Sequence, residues 1–171
     1  MSVVYEKSKG LTDVKLHYCP GCAHGIVHKL LAECLEEMSE TENAIACVPV
    51  GCAVMANKYF NFDAIQCAHG RDVKVQGNPI RVSEMLATLD GPVYIERVSV
   101  TTPGQVAQAK KAIMKALKVQ KEGLGFGFVE VVSSCPTNWG LTAVKAMEYV
   151  KEKMIPYYPL GVFKDLTGEG K

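Results

Sequence analysis

Residues 93–133, VYIERVSVTTPGQVAQAKKAIMKALKVQKEGLGFGFVEVVS, decide the fold class. Val93 to Val100 is rich in β-branched residues and reads as a buried strand. Thr102 is placed to cap a helix, Pro103 suits its first position and Gly123 follows its end, so the pattern predicts a helix from Pro103 to about Gln120. Leu124 to Ser133 is a second strand, which leads to Cys135. Outward from this stretch the alternation continues. Ile26, Val27, Leu30, Leu31, Cys34, Leu35 and Met38 recur at helical spacing, which predicts an amphipathic helix over His24 to Met38. Ala44 to Val50 reads as a buried strand ended by Gly51, Cys52 to Phe60 as the start of a helix, and Ala64 to Ala68 as a short strand. Ile80 to Leu89 is expected to be helical up to Asp90 and Gly91, and Leu141 to Met154 forms a last amphipathic helix before Pro156 and Pro159. Strands alternating with helices argue an α/β sheet packed between helices.

The 171 residues, 48% of them hydrophobic, can bury one sizeable core, so residues 1–171 are expected to form a single domain. The 19 basic and 18 acidic residues nearly cancel and are interspersed, which leaves no electrostatic footprint for nucleic acid or an anionic membrane. Small molecules and other proteins are the expected partners. Met1 to Leu16 lacks the apolar stretch of a signal peptide and no run is long enough to span a bilayer, so the chain reads as cytoplasmic.

In a reducing cytosol, seven cysteines point to metal ligation or redox chemistry rather than to a disulfide framework. An iron–sulfur cluster needs four soft, deprotonated ligands, and a Cys-x-x-Cys loop delivers two from one turn. Cys19 and Cys22 have that spacing, with Pro20 and Gly21 suited to a tight turn and a helix beginning near His24. Cys52 follows Gly51 at the end of one apolar run, and Cys135 follows Ser133 and Ser134 at the end of another, before Pro136. Ends of strands in an α/β sheet are where ligands bind. Cys34, Cys47 and Cys67 stand in apolar surroundings and read as small core residues. The bare Cys-x-x-Cys motif equally suits zinc or a thioredoxin-like dithiol. His24 and His28, four apart on one helix, are read as capping or surface residues rather than as a metal face.

The segments His17-Tyr18-Cys19-Pro20-Gly21-Cys22-Ala23-His24-Gly25, Gly51-Cys52-Ala53, His69-Gly70-Arg71 and Ser134-Cys135-Pro136-Thr137-Asn138-Trp139-Gly140 resemble signatures of 2-oxoacid:ferredoxin oxidoreductase β subunits. Pro79 through Asp90, Tyr94-Ile95-Glu96-Arg97-Val98 and Leu160 to Asp165 extend the likeness over most of the chain. The chain is similar to the separate-subunit type that acts on 2-oxoglutarate or branched-chain 2-oxoacids.

The resemblance implies a thiamin-diphosphate-binding fold with a mainly parallel sheet. It also implies oxidative decarboxylation of a 2-oxoacid to an acyl-coenzyme A, with electrons passing through a 4Fe-4S cluster to ferredoxin. By resemblance, Cys19, Cys22, Cys52 and Cys135 match the cluster ligands, while Gly51, Cys52, His69, Gly70 and Arg71 match the surroundings of the thiamin phosphates and ring. Such a chain is inactive without its α subunit, and γ and δ subunits are further candidate partners. No catalytic residue is singled out.

The family also carries a Gly-Asp-Gly-Asp element and a later Asn that hold the magnesium diphosphate, and neither occurs here. The likeness jumps from Arg71 to Asp72 as if several dozen residues were missing. Omission of a cofactor-binding segment from these 171 residues is the expectation over a genuine deletion, because losing central strands would cost more than a domain's marginal stability. Two readings from other classes stand beside the enzyme: a non-catalytic zinc-binding or scaffold domain, and a small thiol-disulfide oxidoreductase using Cys19 and Cys22.

Overall fold

The structure, a computed structural model, describes residues 5–49, 51–67 and 80–168, and these group into two compact units. One unit comprises 5–18, 24–49 and 51–67; the other comprises 19–23 and 80–168. Among the described residues no helix is long and apolar enough to cross a membrane.

In the first unit α1 spans His24–Glu37 and buries Leu30, Cys34 and Leu35 of the predicted apolar set, and also His28 and Ala32 on another side of the helix. Strands β1 (Ile45–Pro49) and β2 (Asp63–Cys67) pair in parallel with Cys47 opposite Ile65, and a 3-10 segment, Cys52–Lys58, joins them. Their core is Val48, Ala56 and Phe60, packed with Leu11, Leu31, Ala46 and Phe62. The chain start is tied to it by backbone bonds from Thr12 N–H to Tyr59 O (2.8 Å) and from Asn61 N–H to Gly10 O (2.9 Å).

The expectation of a wholly buried first strand is corrected here. Side chains alternate across a strand, so Ala46 and Val48 enter the core while Ile45, 65% exposed, points away. Cys47, read from the sequence as a core residue, lies on that outer side and is exposed, because among the described residues this sheet has only two strands and one covered face. Cys34 is fully buried, as expected. The side chain of Cys67 lies outside what the structure describes.

In the second unit β3 (Pro92–Ser99) is central, parallel to β4 (Phe126–Val132) and antiparallel to β5 (Gly161–Asp165). Helix α3 (Pro103–Lys121) forms the crossover, with Thr102 accepting a bond from Gln105 N–H at 3.2 Å and Pro103 opening the first turn. Helix α2 (Val82–Ala87) is shorter than the predicted Ile80–Leu89. Tyr94 and Glu96 on β3 meet Lys115 and Gln108 of α3, whereas Arg97, one step out of phase, meets Glu84 of α2, so the two helices cover opposite faces.

The predicted helix Leu141–Met154 is divided. A short α4 (Pro136–Trp139) precedes it, α5 (Ala143–Tyr149) starts at a Thr142 cap, and a π turn, Val150–Met154, leads into α6 (Ile155–Tyr157). Pro156 lacks the N–H that would continue the regular ladder, and the π turn sits where that bond would fall. The α/β class and the mainly parallel pairing expected from the sequence are what the structure has.

Candidate metal centre

The Cys-Pro-Gly-Cys segment is a closed turn in which Cys22 N–H donates to Cys19 O at 3.0 Å. Gly21 makes the turn possible with φ +78°, a left-handed value that side chains resist. The turn belongs to the second unit, where it lies against the segment that carries Cys135. Ser134, 3% exposed, donates from Oγ to Gly21 O at 2.8 Å. On the other side a Cβ at Gly21 would lie 2.4 Å from Ala143 Cβ and 3.4 Å from Pro136 Cγ. The segment following β4 and the first residue of α5 therefore hold the turn from two directions. Cys135 is the residue immediately before α4, and its carbonyl accepts from Trp139 N–H at 3.2 Å.

Three of the four sequence-predicted ligands, Cys19, Cys22 and Cys135, thus belong to one unit around one hydrogen bond that spans 113 residues of sequence. Cys52 is in the first unit, at the start of the 3-10 segment after Gly51, whose φ is +139°. None of these four takes part in a disulfide. Cys19 and Cys52 are exposed, and Cys22 and Cys135 half-buried. Unbridged cysteines ordinarily pack as small apolar side chains, so thiols left toward solvent on Gly- and Pro-bounded turns are poorly explained by packing. Among the described residues no three His, Cys, Asp or Glu side chains are gathered closely enough to hold a metal ion.

The donor chemistry fits an iron–sulfur cluster, because thiolates are the soft ligands such clusters take and the turn presents two of them. It does not fit magnesium diphosphate. The described residues of the predicted thiamin neighbourhood, Gly51 and Cys52, offer no carboxylate or amide oxygen from a side chain, and magnesium demands hard oxygen ligands. His69, Gly70 and Arg71 lie outside the described residues.

Two arrangements escaped the sequence reading. In the first unit His17, Tyr18, His24, His28, Tyr59 and Phe60 form a continuous ring array, with centroids 4.5 Å apart for His17–Tyr18 and 4.9 Å for both Tyr18–His24 and His28–Phe60. His17 Nδ1 is hydrogen-bonded to the Tyr59 hydroxyl. His28 is buried, not on the surface as read from the sequence; burial, then the nearby His24 and His17, push its pKa down to about 4. In the second unit Arg97 is fully buried. It donates from Nε to Glu130 (2.9 Å) and from Nη1 to Glu84 (3.0 Å) and to Pro159 O (3.1 Å), and it packs on Phe163. Ser83 Oγ donates to the same Glu130 oxygen at 2.5 Å. The sequence signal was the Glu96-Arg97 pair inside an otherwise apolar strand.

In sequence the chain is similar to ketoisovalerate oxidoreductase subunits. It is 30% identical over 244 residues to the ketoisovalerate oxidoreductase subunit VorA of Methanothermobacter thermautotrophicus, and 29% identical over 244 to the VorA of Methanothermobacter marburgensis. Each alignment takes in 97% of this chain and 51% of the relative, so the chain spans about half the length of the curated relatives it matches. Because 244 aligned positions exceed the 171 residues of the chain, several dozen positions of the relatives have no counterpart in it. The fold is similar to that of the 2-oxoglutarate:ferredoxin oxidoreductase from Magnetococcus marinus solved with 2-oxoglutarate, coenzyme A and succinyl-CoA bound. The TM-score is 0.59 and the identity 14%, over 91% of this chain and 83% of that one. No family model matches the chain.

Proposed function

We propose that the chain is the β-type component of a 2-oxoacid:ferredoxin oxidoreductase, that it holds one 4Fe-4S cluster, and that it acts only with an α subunit. The observation that carries this reading is the Ser134–Gly21 bond, which draws the Cys19–Cys22 turn to the residue next to Cys135. Cys52 joins the ligand set on the strength of the motif Gly51-Cys52-Ala53. When bound, the cluster supplies one-electron transfer between the decarboxylated substrate and ferredoxin. The chain's own residues present thiolates, fix their spacing through the turn, and leave them open enough to receive iron and sulfide. The substrate is a 2-oxoacid, whose acyl group passes to coenzyme A. Ferredoxin and possible γ and δ subunits complete the partners, in the cytoplasm.

In this reading residues 1–171 are one thiamin-diphosphate-type domain interrupted between Arg71 and Asp72, with Gly51, Cys52, His69, Gly70 and Arg71 beside the cofactor's phosphates and ring. The excess length of the relatives' alignment supports an interruption. An intact mass near 18.6 kDa for the native subunit would sink the idea of an omitted segment.

The cluster is tested on the anaerobically purified complex. Broad visible charge-transfer absorption is expected, and Cys19→Ser should abolish it together with bound iron and sulfide. A colourless, iron-free complex with full oxidoreductase activity would refute the reading.

A further inference from the structure

We propose that Ser134 is the positioning residue of the metal centre, a hydroxyl latch that sets the conformation of the Cys19–Cys22 turn from the segment after β4, beside Cys135. Its role toward the metal rests on the cluster reading above; its role toward the turn does not. The argument is in the peptide unit it touches. The carbonyl that accepts from Ser134 Oγ belongs to Gly21, and the N–H of that same peptide, on Cys22, donates to Cys19 O. One planar amide therefore receives a bond at its oxygen from Ser134, in the segment after β4, and gives one at its nitrogen to the other cysteine of the turn. Bonds in such a chain polarise and strengthen one another.

Because the plane is fixed at both ends, the Cα–Cβ directions of Cys19 and Cys22 are set relative to the backbone at Cys135. Ser134 is itself 3% exposed, so water does not compete easily for its hydroxyl. Pro136 and Ala143 close the opposite side of Gly21 and leave the turn little room to relax if the hydroxyl is lost.

The test uses the full reduced chain without metal, followed by hydrogen exchange at single amides. In Ser134→Ala the Cys22 amide should lose protection by roughly two- to tenfold, the equivalent of one net hydrogen bond, while the β3 and α3 amides keep theirs. A purely structural serine would lower protection throughout the unit. Ser134→Thr and Ser134→Val have nearly the same shape and differ in the hydroxyl, so their comparison reads the bond even if the alanine variant folds poorly; threonine should restore Cys22 protection and valine should not. In the iron-loaded complex the alanine and valine variants should release iron to a chelator faster than the serine and threonine forms.

Unchanged Cys22 protection in the alanine variant, equal loss across β3 and α3, or equal behaviour of threonine and valine overturns the latch. Absence of iron from the native complex instead overturns the cluster reading, and leaves the exchange result to stand by itself.

Discussion

Replacing Gly21 by alanine adds one methyl group at a place where two independent costs meet. The backbone there has φ +78°, and a side chain in the left-handed region costs about 1 kcal/mol. The new Cβ would also lie 2.4 Å from Ala143 Cβ and 3.0 Å from Ala143 Cα, well inside the contact distance of carbon atoms. Neither partner atom is the end of a flexible side chain, so the backbone must shift, and overpacking of this kind costs about 1–3 kcal/mol. Together Gly21→Ala should destabilise the second unit by about 2–4 kcal/mol.

Ala143→Gly separates the two parts. It removes the clashing methyl, costs at most about 1 kcal/mol by itself in the first turn of α5, and in the double variant should recover the overlap but not the dihedral cost. The measurement is a denaturant titration followed by the fluorescence of Trp139, the one tryptophan of the chain, which packs at a tilt against Tyr149 in the same unit. A coupling energy of about 1–3 kcal/mol is expected between the two sites. A Gly21→Ala protein with unchanged midpoint and slope, or a double variant no more stable than the single one, would show that the turn is not wedged against α5.

Arg97→Met should cost about 3 kcal/mol at neutral pH, because it leaves Glu84 and Glu130 facing each other without their cation while both retain some access to water. Arg97 holds the Glu84 carboxyl below its usual range, so the native protein should lose stability as pH falls below about 4.5. The variant should lose less over the same range, and a calorimetric comparison showing the same acid limb in both would count against the network. His28, held neutral with a pKa of about 4 in the fold against 6.5 in the unfolded chain, favours unfolding as pH falls from 6.5 to 4, where only the unfolded state takes the proton. The full shift corresponds to about 3 kcal/mol, and solvent screening reduces it to about 1–2 kcal/mol; His28→Phe, placed beside Phe60, should flatten that limb, and an unaltered profile would refute the assignment. Cys47 should react with a maleimide in the folded 171-residue chain at close to the rate of a small-molecule thiol, whereas Cys34 should react only on unfolding; slow labelling of Cys47 would show its side of the strand to be covered.

The second unit was legible because its signals are local. The Thr102-Pro103 cap, the apolar period of α3 and the β-branched run of β3 are each satisfied within a few residues, and the structure departs from them by one or two positions. Long-range placement was not legible. Nothing in Ser134 marks it as the partner of Gly21, 113 residues earlier, since a serine before Cys-Pro is equally good as a turn residue. The Arg97 cluster was hidden for the same reason: its two carboxylates come from α2 and β4, and only the presence of charge inside a buried strand hinted that partners must exist.

Cys47 was misread by a different route. A continuous apolar run normally signals a strand covered on both faces, as parallel strands usually are. Among the described residues the run pairs with β2 alone, Ile45 and Ile65 are 65% and 55% exposed, and Cys47 stands opposite Ile65. The composition of β1 is thus that of a buried parallel strand, while its surroundings are those of a half-covered one. The outer face of β1 and β2 thus carries the residue types of a covered surface, because hydrophobic patterning answers to the layers a strand was selected to separate.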